Sequence, residues 1–305
     1  MPGVLWTGKL SALMKLMVNM NNLMAWLAGG TRDTAAMKQR VRLGFEGTCT
    51  RCLSQYDGLG SGHFTQIATA LLEDLEVRDE RVLDVGCGTG ILSFLALERG
   101  AARVIGGDFS GHMVERCREK VRNRGCPRDR ADFLRLDAES LPFGGDCFDL
   151  VLSSMLLGML PDQKRALEEM ARVVRPGGVL ALSTHGPDNY HEANDAGFRA
   201  STKFNFSDFS GYRTEYWALT QSKIQKMLAG AGLIDIRTRR LTAQERFESG
   251  AEAFDFYAAT SGLWWYGKLP PERRAVAFRK TRDYFNRRKV KRITRDVVLA
   301  RGLKP

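Results

Sequence analysis

The 305-residue chain predicts an α/β fold in which a doubly wound, seven-stranded, mostly parallel sheet carries helical cap insertions. Three observations carry that expectation. From Arg81 onward, short apolar runs alternate with amphipathic segments, the βαβα rhythm of a parallel sheet covered on both faces. The first of these runs ends in a glycine-rich loop, Gly86-Cys-Gly-Thr-Gly90, that opens a helix. No repeat at a fixed period and no low-complexity tract suggests a solenoid or a disordered chain instead.

Taken in order, strands are expected at 81–85, 103–107, 132–136, 148–153, 178–184, 233–241 and 292–300. Helices are expected between them at 91–99, 111–124, 163–174 and 220–231, with two more inside 251–288. Pro176-Gly-Gly178 reads as a turn between helix and strand. In such a sheet, ligands bind at the carboxyl ends of the strands. Residues 56–305 therefore form the main domain, with insertions at about 185–218 and 249–288, both rich in aromatics. Residues 1–55 read as an N-terminal helical extension, because Leu10, Leu13, Met14, Met17, Met20, Met24 and Leu27 recur at helical spacing. That apolar face is open to three readings: a lid over the pocket, an interfacial helix giving peripheral membrane contact, or part of a presequence. The lid is favoured, since methionines suit an adaptable apolar wall.

Composition narrows the class. An apolar fraction of 44% and a charged fraction of 27% are those of an ordinary globular protein. The apolar stretch from Leu10 to Leu27 is broken by Lys15, Asn19, Asn21 and Asn22, which argues against a membrane-spanning helix. Six scattered cysteines suit a reducing, cytoplasmic setting better than a disulfide framework. Cys49-Thr-Arg-Cys52 lacks the second ligand pair that a structural zinc site needs, so no metal is expected. The net charge is +11, and from Glu272 onward thirteen Lys or Arg face three acids. Such a face attracts nucleic acid, anionic lipid or an acidic substrate. It is read here as a solvated surface, with no specific nucleic-acid partner expected.

The glycine loop is the most informative feature. Missing side chains let a ligand approach the backbone closely, and the following helix points its N-terminus at the bound group. A dinucleotide fingerprint would place a third glycine at 91, where Ile91 stands. A P-loop would continue into Gly-Lys-Ser/Thr, which is absent.

Asp84-Val-Gly-Cys-Gly-Thr-Gly90 resembles motif I of the class I S-adenosylmethionine (SAM)-dependent methyltransferases, whose fold is Rossmann-like. Asp108, closing the second strand, resembles the acid that accepts both ribose hydroxyls in that family. A carboxylate, being acceptor-only, can hold two such donors. Phe109 and Met113 stand where the family packs adenine, and Asp137-Ala138 resembles the pair that reads its edge. Leu141-Pro-Phe143, Phe148-Asp149-Leu-Val151 and the Arg-Pro-Gly-Gly turn are similar to the type 11, ubiquinone/menaquinone-biosynthesis-like branch. The resemblance covers residues 56–184 strongly and the two C-terminal strands weakly. It implies SAM as cofactor, held by Tyr56, Asp84, Gly86, Cys87, Gly88, Gly90, Asp108, Phe109, Met113, Asp137, Ala138 and Ser153. It also implies a methyl acceptor that the aromatic insertions suggest is a small molecule with an apolar or ring portion.

Methyl transfer from a sulfonium needs alignment and exclusion of water more than acid–base help, so the family has no universal catalytic residue. Gly158 stands about where related enzymes carry a histidine. The catalytic candidate is His185, directly after the fifth strand; the alternative is a loop histidine capping a turn. His63, Tyr190 and His191 are weaker, and Trp217, Trp264, Trp265 and Tyr266 are candidates for an apolar pocket wall. Two rivals remain open: a methyltransferase acting on RNA, DNA or protein, and a non-catalytic module of the same fold. Against the first, the fourth strand lacks both the Asn/Asp-Pro-Pro-aromatic motif and a Pro-Cys pair. Against the second, a degenerate fold has no need of an intact loop with Asp108 and Asp137.

Overall fold

A computed structural model of the chain describes residues 38–39, 61–127, 129–202, 218–258 and 271–305. Tyr56, Cys49, Cys52, Trp217, Trp264, Trp265, Tyr266 and nearly all of the N-terminal extension lie outside the described residues. The described chain divides into two compact units. The first holds Ser61–His185, Leu219–Arg240 and Val297–Pro305. The second holds the described parts of Met1–Gly60, Gly186–Ala218 and Leu241–Asp296.

In chain order the elements are α1 (Ser61–Leu72), β1 (Arg81–Val85), α2 (Ile91–Glu98), β2 (Arg103–Asp108), α3 (Gly111–Asn123), β3 (Ala131–Arg135) and β4 (Phe148–Ser154). They continue with α4 (Gln163–Val173), β5 (Val174–His185), α5 (His191–Thr202), α6 (Gln221–Gly230), β6 (Ile234–Arg246), α7 (Gly250–Tyr257), α8 (Pro271–Arg287) and β7 (Arg292–Leu303). All seven expected strands form, most with bounds shifted by one to four residues. The helix α5, inside the first insertion, was not anticipated by periodicity.

The sheet is ordered β3-β2-β1-β4-β5-β7-β6. β1 lies parallel to both β2 and β4, and the parallel set extends to β3 on one side and β5 on the other. β7 is antiparallel to β5, with Val179 opposite Leu303 and His185 opposite Val297. The chain thus winds outward from β1 to β3, then returns to the other side at β4. That reversal makes β1 and β4 the switch point of the sheet, and ligands of such sheets bind in the crevice outside the strands' carboxyl ends at such a point.

Local chemistry explains the elements that frame this crevice. β1 reads Arg-Val-Leu-Asp-Val, and its last four residues are buried, as expected for a central strand covered on both faces. α4 is amphipathic: Ala166, Leu167, Met170, Ala171 and Val173 turn into the core, and Asp162 caps its start by accepting from the Arg165 amide at 2.9 Å. Truncating Leu167 to Ala at this fully covered position would cost about 2–5 kcal/mol. α3 is capped in the same way by Ser110, whose hydroxyl accepts from the Met113 amide.

Pro176-Gly-Gly178 is not a turn between elements but an irregularity inside β5. Val174 already pairs with Phe148, and pairing resumes with Val179 opposite Leu150, so the intervening residues bulge out of the ladder. Lys304 secures the bulge: its carbonyl accepts from the Gly177 amide at 2.9 Å, and its own amide donates to Gly178 at 3.0 Å. The neighbouring strand that supplies these bonds comes from the far end of the sequence, which is why local turn signals misread the segment.

The second unit has its own aromatic core. Tyr190, Phe254, Tyr257, Tyr284, Phe285 and Ile293 are buried together, with the Phe254 and Phe285 rings packed edge-on at 5.2 Å. Asn194 on α5 accepts from the Tyr257 hydroxyl at 2.8 Å, satisfying a phenol that would otherwise be stranded.

Candidate cofactor site

The site lies within the first unit, where β1 runs into the glycine loop. The Gly86 and Cys87 amides both donate to the Gly107 carbonyl on β2, at 2.8 and 3.0 Å, which folds the loop back across the strand ends. The Gly90 amide closes a turn onto the Cys87 carbonyl at 2.8 Å. Gly88 and Gly90 take φ of 53° and 87°, the left-handed region that glycine enters at no steric cost. Their surroundings differ. A Cβ at Gly90 would meet the Phe94 ring at 2.8 Å and the Cys117 sulfur at 3.0 Å; at Gly88 it would meet no described atom within 4 Å. Gly90 is required by the fold, whereas Gly88 is uncrowded by the described residues.

Two carboxylates flank the loop. Asp84, fully buried near the end of β1, accepts from the Ser93 hydroxyl at 2.5 Å through Oδ2, while its Oδ1 is buried with no hydrogen-bond partner. Burial raises its pKa to about 7; the Ser93 hydroxyl pulls the other way and the nearby Asp108 adds to the rise. Asp108 closes β2. Its Oδ1 accepts from the Ser110 amide at 2.8 Å and its Oδ2 from the Gly88 amide at 3.0 Å. Burial holds its pKa above the usual carboxylate value, opposed by the Ser110, Gly88 and Phe109 amides. A buried acceptor left without a donor, on the strand that leads into the glycine loop, suits a ligand bearing hydroxyl or ammonium groups. These residues therefore fit a SAM-like cofactor.

The other expected contacts are distributed as follows. Phe109 follows Asp108, and the Arg135 guanidinium sits 5.6 Å from its ring centroid. Met113 is buried on α3. Asp137 accepts from the Glu139 amide at 3.0 Å through its side chain, and Ala138 beside it is buried. Ser153 donates its hydroxyl to the Val85 carbonyl at 2.9 Å, tying β4 to β1. Cys87 is buried, and the neighbouring Cys117 thiol and burial push its own thiol well above the ordinary range. All but Met113, which lies in the first turn of α3, stand at or just beyond the carboxyl ends of strands.

His185 ends β5 and is buried. Burial, followed by the charge of His63, lowers its pKa to about 3, so the imidazole is neutral at physiological pH. Tyr190 and His191 belong to the second unit, where Tyr190 is part of the aromatic core and His191 lies 3.3 Å from Glu192.

Sequence reasoning missed several supporting residues. Glu169 on α4 accepts from the Leu141 amide at 2.9 Å and pairs with Arg172, whose guanidinium donates to the Phe143 carbonyl at 2.8 Å and the Leu141 carbonyl at 3.2 Å. This pair anchors the Leu141-Pro-Phe143 segment that follows Asp137. Cys117 and Lys120 support the glycine loop itself, and Ser93 holds Asp84 on the strand that leads into it. All five lie on helices and face inward at i, i+3 or i+4 spacing, a weak signal without knowledge of what they face.

Fold and site together define an α/β protein built to hold a ligand at the switch point of a doubly wound sheet. Residues 82–178 match the family model described as a methyltransferase domain. A demethylmenaquinone methyltransferase from Clavibacter sepedonicus is 31% identical over 179 residues, which cover 55% of this chain and 71% of that protein. The chain belongs to the class I SAM-dependent methyltransferases, in the type 11, ubiquinone/menaquinone-biosynthesis-like branch. The methyltransferase GfsG of Streptomyces halstedii is 39% identical over 114 residues, 37% of this chain and 41% of that protein. A phosphatidylethanolamine N-methyltransferase of Cereibacter sphaeroides is 39% identical over 111 residues, and that match spans only 53% of its length. Likeness to these two relatives therefore stops at about half of each. Among solved structures, the YcgJ protein from Bacillus subtilis shares the fold, with a TM-score of 0.53 at 21% identity over 79% of this chain and 98% of that one.

Proposed function

We propose that the protein transfers a methyl group from SAM to a small-molecule acceptor with an apolar or ring portion. The observation that carries this is the buried, unpartnered Asp84 Oδ1 on the strand that runs into the glycine loop, whose Gly88 amide is held by Asp108. SAM bound there supplies a methyl group on a sulfonium, which needs no further activation. In this reading Asp108 takes the ribose hydroxyls, Phe109 and Met113 flank adenine, and Asp137 with Ala138 reads its edge. The neutral His185 is a poor proton acceptor, since efficient general bases have a pKa near the working pH. Its role in this reading is to orient the acceptor through an uncharged imidazole, at the same sheet end as the cofactor. The names of the relatives support a small acceptor: they include an aklanonic acid methyltransferase and a malonyl-[acyl-carrier protein] O-methyltransferase. Four free cysteines among the described residues, two of them buried, agree with a cytoplasmic setting.

Calorimetry with S-adenosylhomocysteine tests the cofactor half of this reading, and methyl-labelled SAM incubated with a metabolite extract tests the acceptor half. Label recovered in a small apolar product supports the proposal. Label recovered only in RNA or protein replaces it with the macromolecular reading.

A further inference from the structure

The amides of the glycine loop are not all available to a ligand. Those of Gly86 and Cys87 donate to the Gly107 carbonyl, that of Gly88 to Asp108, and that of Gly90 to the Cys87 carbonyl. The Thr89 amide has no acceptor among the described residues. The loop carbonyls show why. Cys117 on α3 donates its thiol to the Gly88 carbonyl at 3.2 Å, and one helical turn further on the Lys120 ammonium donates to the Thr89 carbonyl at 2.9 Å. A trans peptide is planar, with its carbonyl and the following amide pointing in opposite directions. Drawing the Gly88 carbonyl toward α3 therefore turns the Thr89 amide away from α3. Met113, Cys117 and Lys120 follow one another at i, i+4 and i+7, so a single face of α3 lies against the loop.

We infer that Cys117 and Lys120 are positioning residues, which fix the two peptides on either side of Thr89, Gly88–Thr89 and Thr89–Gly90 respectively, so that the Thr89 amide faces the cofactor before it binds. The inference rests on the cofactor reading above and adds to it: the loop is held from behind by a side-chain cation rather than shaped by the ligand. An ammonium donating to a backbone carbonyl is a charge-assisted bond and among the stronger ones available to a loop. A neutral side chain of similar length leaves the Thr89–Gly90 peptide held only by the Gly90 amide's bond to the Cys87 carbonyl, which loosens Thr89 and the amide it presents.

Three measurements on the full chain test this. In the wild type, amide NMR with S-adenosylhomocysteine should shift the Thr89 resonance and slow its hydrogen exchange; an unperturbed Thr89 amide at saturation overturns the inference. In Lys120→Met, affinity for S-adenosylhomocysteine should fall about tenfold or more, the scale of one charge-assisted hydrogen bond, and Lys120→Arg should restore most of it. Unchanged affinity in Lys120→Met overturns the inference, as does an equal loss in Lys120→Arg accompanied by a lower melting temperature, which marks a purely structural role. In the ligand-free variant, amides of residues 86–90 should exchange faster while those of β3 hold their wild-type rates. Failure of the wild type to bind S-adenosylhomocysteine at all would instead sink the cofactor reading, a result distinct from any of these.

Discussion

Asp108 and Gly88, twenty residues apart, are joined by a 3.0 Å bond from the Gly88 amide to the Asp108 carboxylate. The residue proposed to hold the ribose is therefore also one of the residues that build the loop. Its two oxygens each take a backbone amide, from Gly88 and Ser110, and each retains lone pairs for a ligand. Removing it should cost binding in two ways at once. Asp108→Ala should weaken S-adenosylhomocysteine binding by about 2–4 kcal/mol, the range for losing charge-assisted hydrogen bonds in a closed site. Calorimetry on the folded variant decides this; unchanged affinity would remove Asp108 from the site.

Gly88 and Gly90 should fail differently when substituted. At Gly90 an added methyl meets Phe94 and Cys117, so Gly90→Ala should destabilise the fold by about 1–3 kcal/mol from overpacking, with further strain from its positive φ. At Gly88 the methyl meets no described atom, so Gly88→Ala should melt nearer to wild type yet lose cofactor affinity as it fills ligand space. Thermal denaturation read alongside calorimetry separates the two. Equal losses of stability at both positions would contradict the contrast.

Asp84 makes the fold sensitive to pH in a definite direction. The unfolded chain holds this carboxyl at 3.8 and the folded chain at about 7, so the folded state keeps a proton that the unfolded state releases between those values. Its contribution to stability is complete below about pH 4 and is lost as pH rises through 7. The total is up to about 4 kcal/mol. Asp84→Asn cannot ionise, so it should raise the melting temperature relative to wild type at pH 8 and much less at pH 5, while weakening S-adenosylhomocysteine. A stability difference independent of pH would show that Asp84 does not titrate in this window.

His185 should act in the opposite sense. With a folded value of about 3 against an ordinary 6.5, its contribution is present above pH 6.5 and lost as pH falls through 3. His185→Gln should therefore narrow the acid-side loss of stability. With any acceptor found by labelled-methyl screening, the rate profile should show no limb near 6.5 that disappears in the variant. Such a limb, abolished by His185→Gln, would restore His185 as a general base.

The exposed run Arg287, Arg288, Lys289, Lys291 and Arg292 gives a prediction about partners. Binding to a generic DNA duplex should be weak and should vanish by physiological salt, because phosphate contacts of this kind depend on counterion release. A selective nucleic-acid complex that survives such salt would favour the macromolecular substrate.

The sequence by itself determined the strand–loop–helix unit at Arg81–Glu98, the alternation that makes a doubly wound sheet, and the acids Asp84, Asp108 and Asp137 at the strand ends. These are set by neighbours within a few residues: burial pattern, glycine spacing and helix caps act locally, so they can be read locally. Tertiary structure alone decided what those residues contact. The antiparallel course of β7 beside β5, and the Lys304 bonds that turn Pro176-Gly-Gly178 into a bulge, depend on a strand from the far end of the chain. Asp84 and His185 take pKa values of about 7 and about 3 because whole elements close over them, and desolvation has no sequence signature. Cys117 and Lys120 read as ordinary helix residues until α3 folds against the loop. Their function lies in a carbonyl contact some thirty residues away, and only chain closure brings those atoms together.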